Sequence, residues 1–220
     1  NTSVNTTAPV SAGPMEFDAF GRFRVSEPYT LGDYKHLYEL DPNFLDVLAN
    51  GGTVSFQPNQ ACARLATTTA ANSSAIHQTK FYHQYMPGKS QLIYSTFNLY
   101  AATPGVTKRT GYYDAANGII FQQDGNGTLK FIIRTSTSGS PVDAEVVTQA
   151  NWNVDKCDGT GPSGFNIDLT KMQMFYLDYS WYGAGFVRWG FRGQDGNILY
   201  CNKVVNNNVN YEAYMRSGNL

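Results

Sequence analysis

The stretch Lys171–Val205, KMQMFYLDYSWYGAGFVRWGFRGQDGNILYCNKVV, constrains the fold more than any other part of the chain. Read at period two, Gln173, Phe175, Leu177, Tyr179 and Trp181 share one side of a strand, and Val187, Trp189 and Phe191 share one side of the next. Gly183, Ala184 and Gly185 supply a tight reversal between them, and GQDGN at 193–197 supplies a second before 198–205 continues. The opposite face carries Asp178, Ser180, Arg188, Gly190 and Arg192, so this meander is apolar on one side and wet or contact-making on the other. Such a sheet has to pack on a second layer, with Phe175, Leu177, Trp189 and Phe191 inside.

Upstream, short β-type runs alternate with Gly, Pro, Asn and Asp breaks. Strands are predicted at 53–57, 61–68, 75–84, 90–100, 106–113, 118–123, 128–135 and 143–149, about eleven in all with the closing meander. One short helix is predicted over Asp41–Leu48, where Asp precedes Pro42, apolar residues follow near helical spacing, and Asn50-Gly51-Gly52 closes the run. The DG turns at 123–127 and 194–197 share turn chemistry. The longest irregular segment, 151–169, is rich in Gly, Asp and Pro, and loops of that length are usually functional or clamped by contacts. The expected fold is an all-β antiparallel sandwich, jelly-roll or concanavalin-like, over residues 36–220, preceded by an extended docking arm at 1–35.

The first fourteen residues hold too little apolar surface to offset their ordering entropy. Phe17, Phe20 and Phe23 then follow, interleaved with Arg22 and Arg24, and three such rings are too large to leave in water. Aromatic anchors beside guanidinium forks make a docking motif: Phe17, Phe20 and Phe23 would supply the affinity, while Arg22 and Arg24 would set the register on partner carboxylates. A neighbouring copy of the chain is the expected surface, giving a homo-oligomer with arm exchange. The alternative is that the phenylalanines fold back on their own sandwich.

Composition narrows the function. Charged residues are 15% of the chain, aromatics 14%, and the formal net charge is -1. That balance lacks the basic footprint of a nucleic-acid binder and suits a surface that packs on partners. No apolar run is long enough to span a membrane and no signal peptide opens the chain, so neither membrane nor export is expected. Lacking an initiator Met and stopping after an ordinary turn sequence, the chain reads as a segment of a longer polypeptide. Cys62, Cys157 and Cys201 are odd in number and widely spaced, which fits free thiols made in a reducing cytosol rather than a disulfide framework or a zinc site.

Nothing local assembles a catalytic or cofactor site. Asp114, Asp124, Asp155, Asp158, Asp168, Asp178 and Asp195 are scattered, with no two on one strand face as a glycosidase pair requires. Asp124 to Thr128 faintly resembles a calcium loop but lacks the downstream bidentate acid, leaving a hairpin turn. His36, His77 and His83 lack the spacing of a metal motif, although His77 and His83 could face the same side of one strand. The expectation is a non-enzyme with no catalytic residue, metal or cofactor. The rival is a carbohydrate-binding module of a tail fibre or spike, stacking a host surface glycan on exposed Tyr112, Tyr113, Tyr179 or Tyr182.

Three blocks carry a resemblance: DAFGRFRVSEPYTL at 18–31, RTGYYDAANGIIF at 109–121, and 152–170 with its DGTGPSG core. From about residue 16 to the C-terminus the chain resembles a family of virion structural proteins of large tailed bacteriophages, departing from it at Gly32-Asp33-Tyr34. The resemblance implies an assembly role in a capsid, baseplate or tail fibre, made in the host cytoplasm and held in the virion by other particle proteins. It implies no catalytic residues.

Overall fold

The computed structural model describes residues 29–83, 90–180 and 185–215. The chain divides into two compact units, 1–33 and 34–220. The arm residues Phe17, Phe20, Arg22, Phe23 and Arg24, and the candidate ring Tyr182, lie outside the described residues.

The second unit is an all-β antiparallel sandwich. One sheet orders its strands β12-β11-β10-β5, from Ile198–Val205, Phe186–Arg192, Gln173–Ser180 and Ser90–Phe97. The other orders β6-β7-β8-β9, from Lys108–Tyr113, Gly118–Gln123, Leu129–Thr135 and Val142–Thr148. Successive strands mostly stay within one sheet, so each layer is largely a meander. Phe121 and Phe131 of the second sheet meet Phe97, Phe175, Trp189 and Phe191 of the first with ring centroids 4.9 to 6.5 Å apart. The predicted inward set, Phe175, Leu177, Trp189 and Phe191, is buried throughout. The register explains why: Phe175 pairs with Phe191 and Leu177 with Trp189, so all four project from one side of β10 and β11.

The two DG turns are built alike. Gly127 N–H donates to the Asp124 carbonyl at 2.9 Å and Gly196 N–H to the Gly193 carbonyl at 3.0 Å, both glycines at positive φ. Asp124 uses its carboxylate on Lys130 and Gln122, each at 2.5 Å, as a hairpin anchor.

Residues 34–83 depart from expectation. Phe44–Ala49 is a strand, β1, and not a helix; it pairs over six residues with β4, Ser74–Thr79. Asp41 still caps a turn, accepting from the Asn43 N–H at 2.9 Å, but Phe44 N–H closes back on the Asp41 carbonyl at 3.1 Å and the chain then extends. Asn50 and Gly51 both take positive φ, 46° and 82°, making a tight reversal of the kind that NG favours as readily as a helix end. The chain then enters β2, Thr53–Gln57, which pairs with β3, Cys62–Ala66. Gly52 is glycine for space: a Cβ there would overlap the Ser74 carbonyl of β4. The twelfth strand therefore comes from the segment predicted as helix, and the one helical turn described, a 3-10 turn at Gln149–Asn151, lies elsewhere.

Candidate functional site

Two exposed surfaces and one clamped loop hold the features that chemistry or recognition could use. The first surface is the strand group β1–β4. Between residues 34 and 83 only Gly52 and Thr79 are buried. Leu45, Val47 and Ile76 share one face, since Val47 opposes Ile76, and they are 46%, 45% and 40% exposed. Phe81 and Tyr82 follow β4 and are also exposed. A two-stranded pair with its apolar face in water is marginal alone and gains by being covered.

The other face of β1–β4 gathers rings. Phe44 stacks on His77 at 4.4 Å, His36 lies 5.1 Å from His77, and Asp46 holds His77 Nδ1 at 2.5 Å. His83 is not with them; it meets the Tyr34 hydroxyl at 3.2 Å. The histidines thus group differently from the sequence expectation, His77 with His36 across the turn. Among the described residues no three His, Cys, Asp or Glu side chains come together to hold a metal ion. Burial lowers the pKa of both His36 and His83; at His36 the nearby His77 lowers it further, while Asp41 and Asp46 act in the opposite sense. A folded-state imidazole pKa below its unfolded value means that the unfolded chain takes up protons first as pH falls. Stability from the neutral rings is complete above about pH 6.5 and is lost as pH falls through the lowered folded values. Hydrogen exchange, corrected for intrinsic rates, should therefore show β1 and β4 opening more at about pH 5 than at about pH 7.5, with β7 and β8 unmoved. Equal protection of β1 and β4 at both would refute the role given to the rings.

The second surface is the outer face of β12-β11-β10-β5. Tyr94 opposes Tyr176, edge to face at 4.7 Å, and covers it, so Tyr176 is buried while Tyr94 is 57% exposed. Arg188 lies 4.1 Å over the Tyr200 ring and donates to Asp178 at 2.7 Å, which is how an acid on the outer side comes to be mostly covered. Lys203 sits 4.4 Å over Phe186. The face predicted as wet or contact-making is a tiled aromatic and charged surface.

The sequence-selected tyrosines are placed otherwise. Tyr112 and Tyr179 are buried and stacked on each other at 5.8 Å, so neither is an exposed ring for a glycan. Tyr112 donates its hydroxyl to the His83 carbonyl at 3.1 Å, and Tyr179 donates to the Gln91 side chain. Tyr179 faces inward because it shares its side of β10 with Phe175 and Leu177. Tyr113, on the opposite side of β6 from Tyr112, is partly exposed; burial raises its pKa despite Arg109 and Arg134 nearby.

The long loop 151–169 is clamped at both ends. Trp152 stacks on Phe131 at 4.4 Å. Asn153 exchanges hydrogen bonds with Lys203 of β12, donating at 2.8 Å and accepting at 2.9 Å. Asp155 accepts from the Cys157 and Ser163 N–H groups, both at 2.8 Å, and its carboxylate occupies the space where Gly161 lacks a side chain. Burial opposes the Asp155 charge, but these bonds outweigh it and hold its carboxyl below the usual range. Asp158, Asp168 and Asp195 are also lowered, through bonds from Thr160, Thr170 and Asn197, and Asp124 through Lys130. Four of these acids bind loop and turn groups and Asp124 binds side chains of β7 and β8, and each shift is opposite to the raised pKa of a general acid.

No family model matches the chain, and no curated protein or solved structure matches it either. Among the described residues no helix is long and apolar enough to cross a membrane.

Proposed function

We propose that this chain is a non-enzymatic structural component of a bacteriophage virion, joined to other particle proteins and to copies of itself through its N-terminal arm and its sheet surfaces. The observation that carries this reading is the open apolar face of Leu45, Val47 and Ile76, in a strand group with almost nothing buried. Each such side chain gains about 1.5–3 kcal/mol when fully covered, and a charge-poor chain has little to keep that face in water. The resemblance of the 18–31, 109–121 and 152–170 blocks to virion proteins supports the particle setting. The downward-shifted aspartates of the long loop and the DG turns, each engaged by groups close to it in sequence, support a role without hydrolysis.

The direct test is mass by light scattering, with recovery in particles, for the full chain, for a variant lacking residues 1–26, and for L45K/V47K/I76K. The full chain should run at a multiple of 24.3 kDa, and each variant should lose mass and particle incorporation while keeping the sandwich. If all three have one mass and enter particles equally, the reading is wrong.

A second reading, recognition of a host glycan, is favoured by the exposed Tyr94, packed on Tyr176, on the sheet face that also carries Asp178, Arg188 and Tyr200, where a sugar could stack and hydrogen-bond. A glycan array whose hits vanish in Y94A would support it; an array without hits would leave assembly alone.

A further inference from the structure

Two of the three cysteines, far apart in sequence, meet in the core. Cys157 in the clamped loop and Cys201 on β12 are both fully buried, with Sγ atoms 3.1 Å apart. Three separate backbone features place them so. Cys157 takes a positive φ of 50°, which few residues other than glycine, asparagine or aspartate adopt. On β12 the pairing with β11 slips between Trp189 and Gly190, so that Trp189 faces Asn202 and Gly190 faces Tyr200; Cys201 is the extra residue of a bulge that turns it inward. The Cys201 carbonyl accepts from both Val154 N–H and Asp155 N–H at 3.0 Å, fixing the loop against the strand at that point. Ile167 N–H donates to the Cys157 carbonyl at 2.9 Å from the other side. Cys62, on β3, is partly exposed, with its thiol 3.6 Å from the Gln60 side-chain oxygen.

We propose that Cys157 and Cys201 are an oxidisable pair, closed to an intramolecular disulfide by a small-molecule disulfide such as oxidised glutathione and opened by the corresponding thiol. The Cys157 thiolate attacks one sulfur of oxidised glutathione and releases the first glutathione as a thiol. The Cys201 thiolate then attacks the Cys157 sulfur of the mixed disulfide and releases the second. The protein gives up two electrons and two protons, and both protons end on the released glutathione thiols. Cys157 is assigned the first attack because it sits on the loop, which can lift from the sandwich, whereas Cys201 is held within β12. Both sulfurs being buried, exchange passes through opening of the 151–169 loop, so closure is slow in the folded chain and fast wherever the loop lifts.

The bond would tie residues 44 apart in sequence and so restrict the unfolded chain. The alternative is that the two thiols serve only as small apolar side chains in a core. The two are separated by equilibrating the full chain in glutathione buffers from reducing to oxidising, with and without mild urea, then acid quenching, alkylating and mapping peptides by mass. The expected result is one cross-linked peptide joining Cys157 to Cys201, lighter by two hydrogens, with Cys62 recovered as a free or glutathione-capped thiol. Thermal melts of oxidised against reduced wild-type chain should differ by about 5–15 °C, and the difference should vanish in C157S or C201S. The peptide map needs no variant, so a misfolded mutant does not obscure it. Recovery of both Cys157 and Cys201 as unmodified thiols at poises where Cys62 is already capped would overturn the proposal, as would a bridge from either of them to Cys62.

Discussion

Phe131→Ala should cost about 3–5 kcal/mol, the range for truncating a large ring in a close-packed core. Phe131 is 1% exposed and stands where three parts of the molecule meet. Its ring lies 4.4 Å from Trp152 of the long loop, 4.9 Å from Trp189 of the facing sheet, and 5.4 Å from Phe121 of its own sheet. Rigid aromatic neighbours on all sides cannot collapse into the space, which places the loss toward the upper part of the range. Set against a total stability of about 5–15 kcal/mol for a domain, such a loss leaves the chain close to unfolding at ambient temperature. Denaturant titrations read it as a lower midpoint with unchanged slope. Val209→Ala, at a site 70% exposed and outside β1–β4, is the control and should move stability by no more than about 0.5 kcal/mol. A loss at Phe131 no larger than the control's would mean that the two sheets do not meet there.

Asp155→Ala should be the next most damaging change, at about 2–4 kcal/mol, because it strands the buried Cys157 N–H and the part-buried Ser163 N–H rather than removing packing. The carboxylate accepts from Cys157 and Ser163 at 2.8 Å each and lies against Gly161, so the loop from 155 to 163 is folded around it. No other described acceptor replaces it at those two donors. The same residue gives acid sensitivity with a defined sign. Its folded pKa is depressed by those bonds against burial, so the unfolded chain binds the proton first. Its contribution is complete above the unfolded value of about 3.9 and is lost as pH falls through the lower folded one. Thermal melts between neutral pH and about pH 3 should show the wild type losing more stability than Asp155→Ala, the two curves converging at the acid end. Parallel curves would mean that Asp155 is not the anchor of the loop.

Much of the sandwich was readable in advance because its strands announce themselves locally. GIIFQQ at 118–123, a run of β-branched and aromatic residues between turn formers, folds as β7 with those bounds, and the strand read from Gln173 to Trp181 folds as β10 over Gln173–Ser180. The inward face of the meander follows from alternation alone. Burial of Tyr179 was legible too, since it lies at even spacing from Phe175 and Leu177; its selection as an exposed ring overlooked that register. Tyr112 had no such signal, because TGYYD gives no parity.

The 41–50 segment went wrong for a physical reason. Asp-Pro and Asn-Gly-Gly are compatible with a helix start and stop and equally with two turns, and the seven residues between them are too few for helical periodicity to decide. What decided was β4, about thirty residues downstream, whose backbone groups pair with Phe44 to Ala49 in register. The thiol pair is the same case on a longer span. Nothing within ten residues of Cys157 or Cys201 suggests that they touch; a positive φ, a bulge and a shared carbonyl bring them together. The sequence by itself determined most of the strands after residue 52, where most of them turn, and which face of the closing meander is apolar, because those depend on side-chain parity and local backbone preference. Only the tertiary structure decided which strand pairs with which, what covers Tyr176 and Asp178 on the outer face, and where His36 meets His77 and Cys157 meets Cys201. Those depend on long-range backbone pairing, whose partners are not encoded in any single stretch.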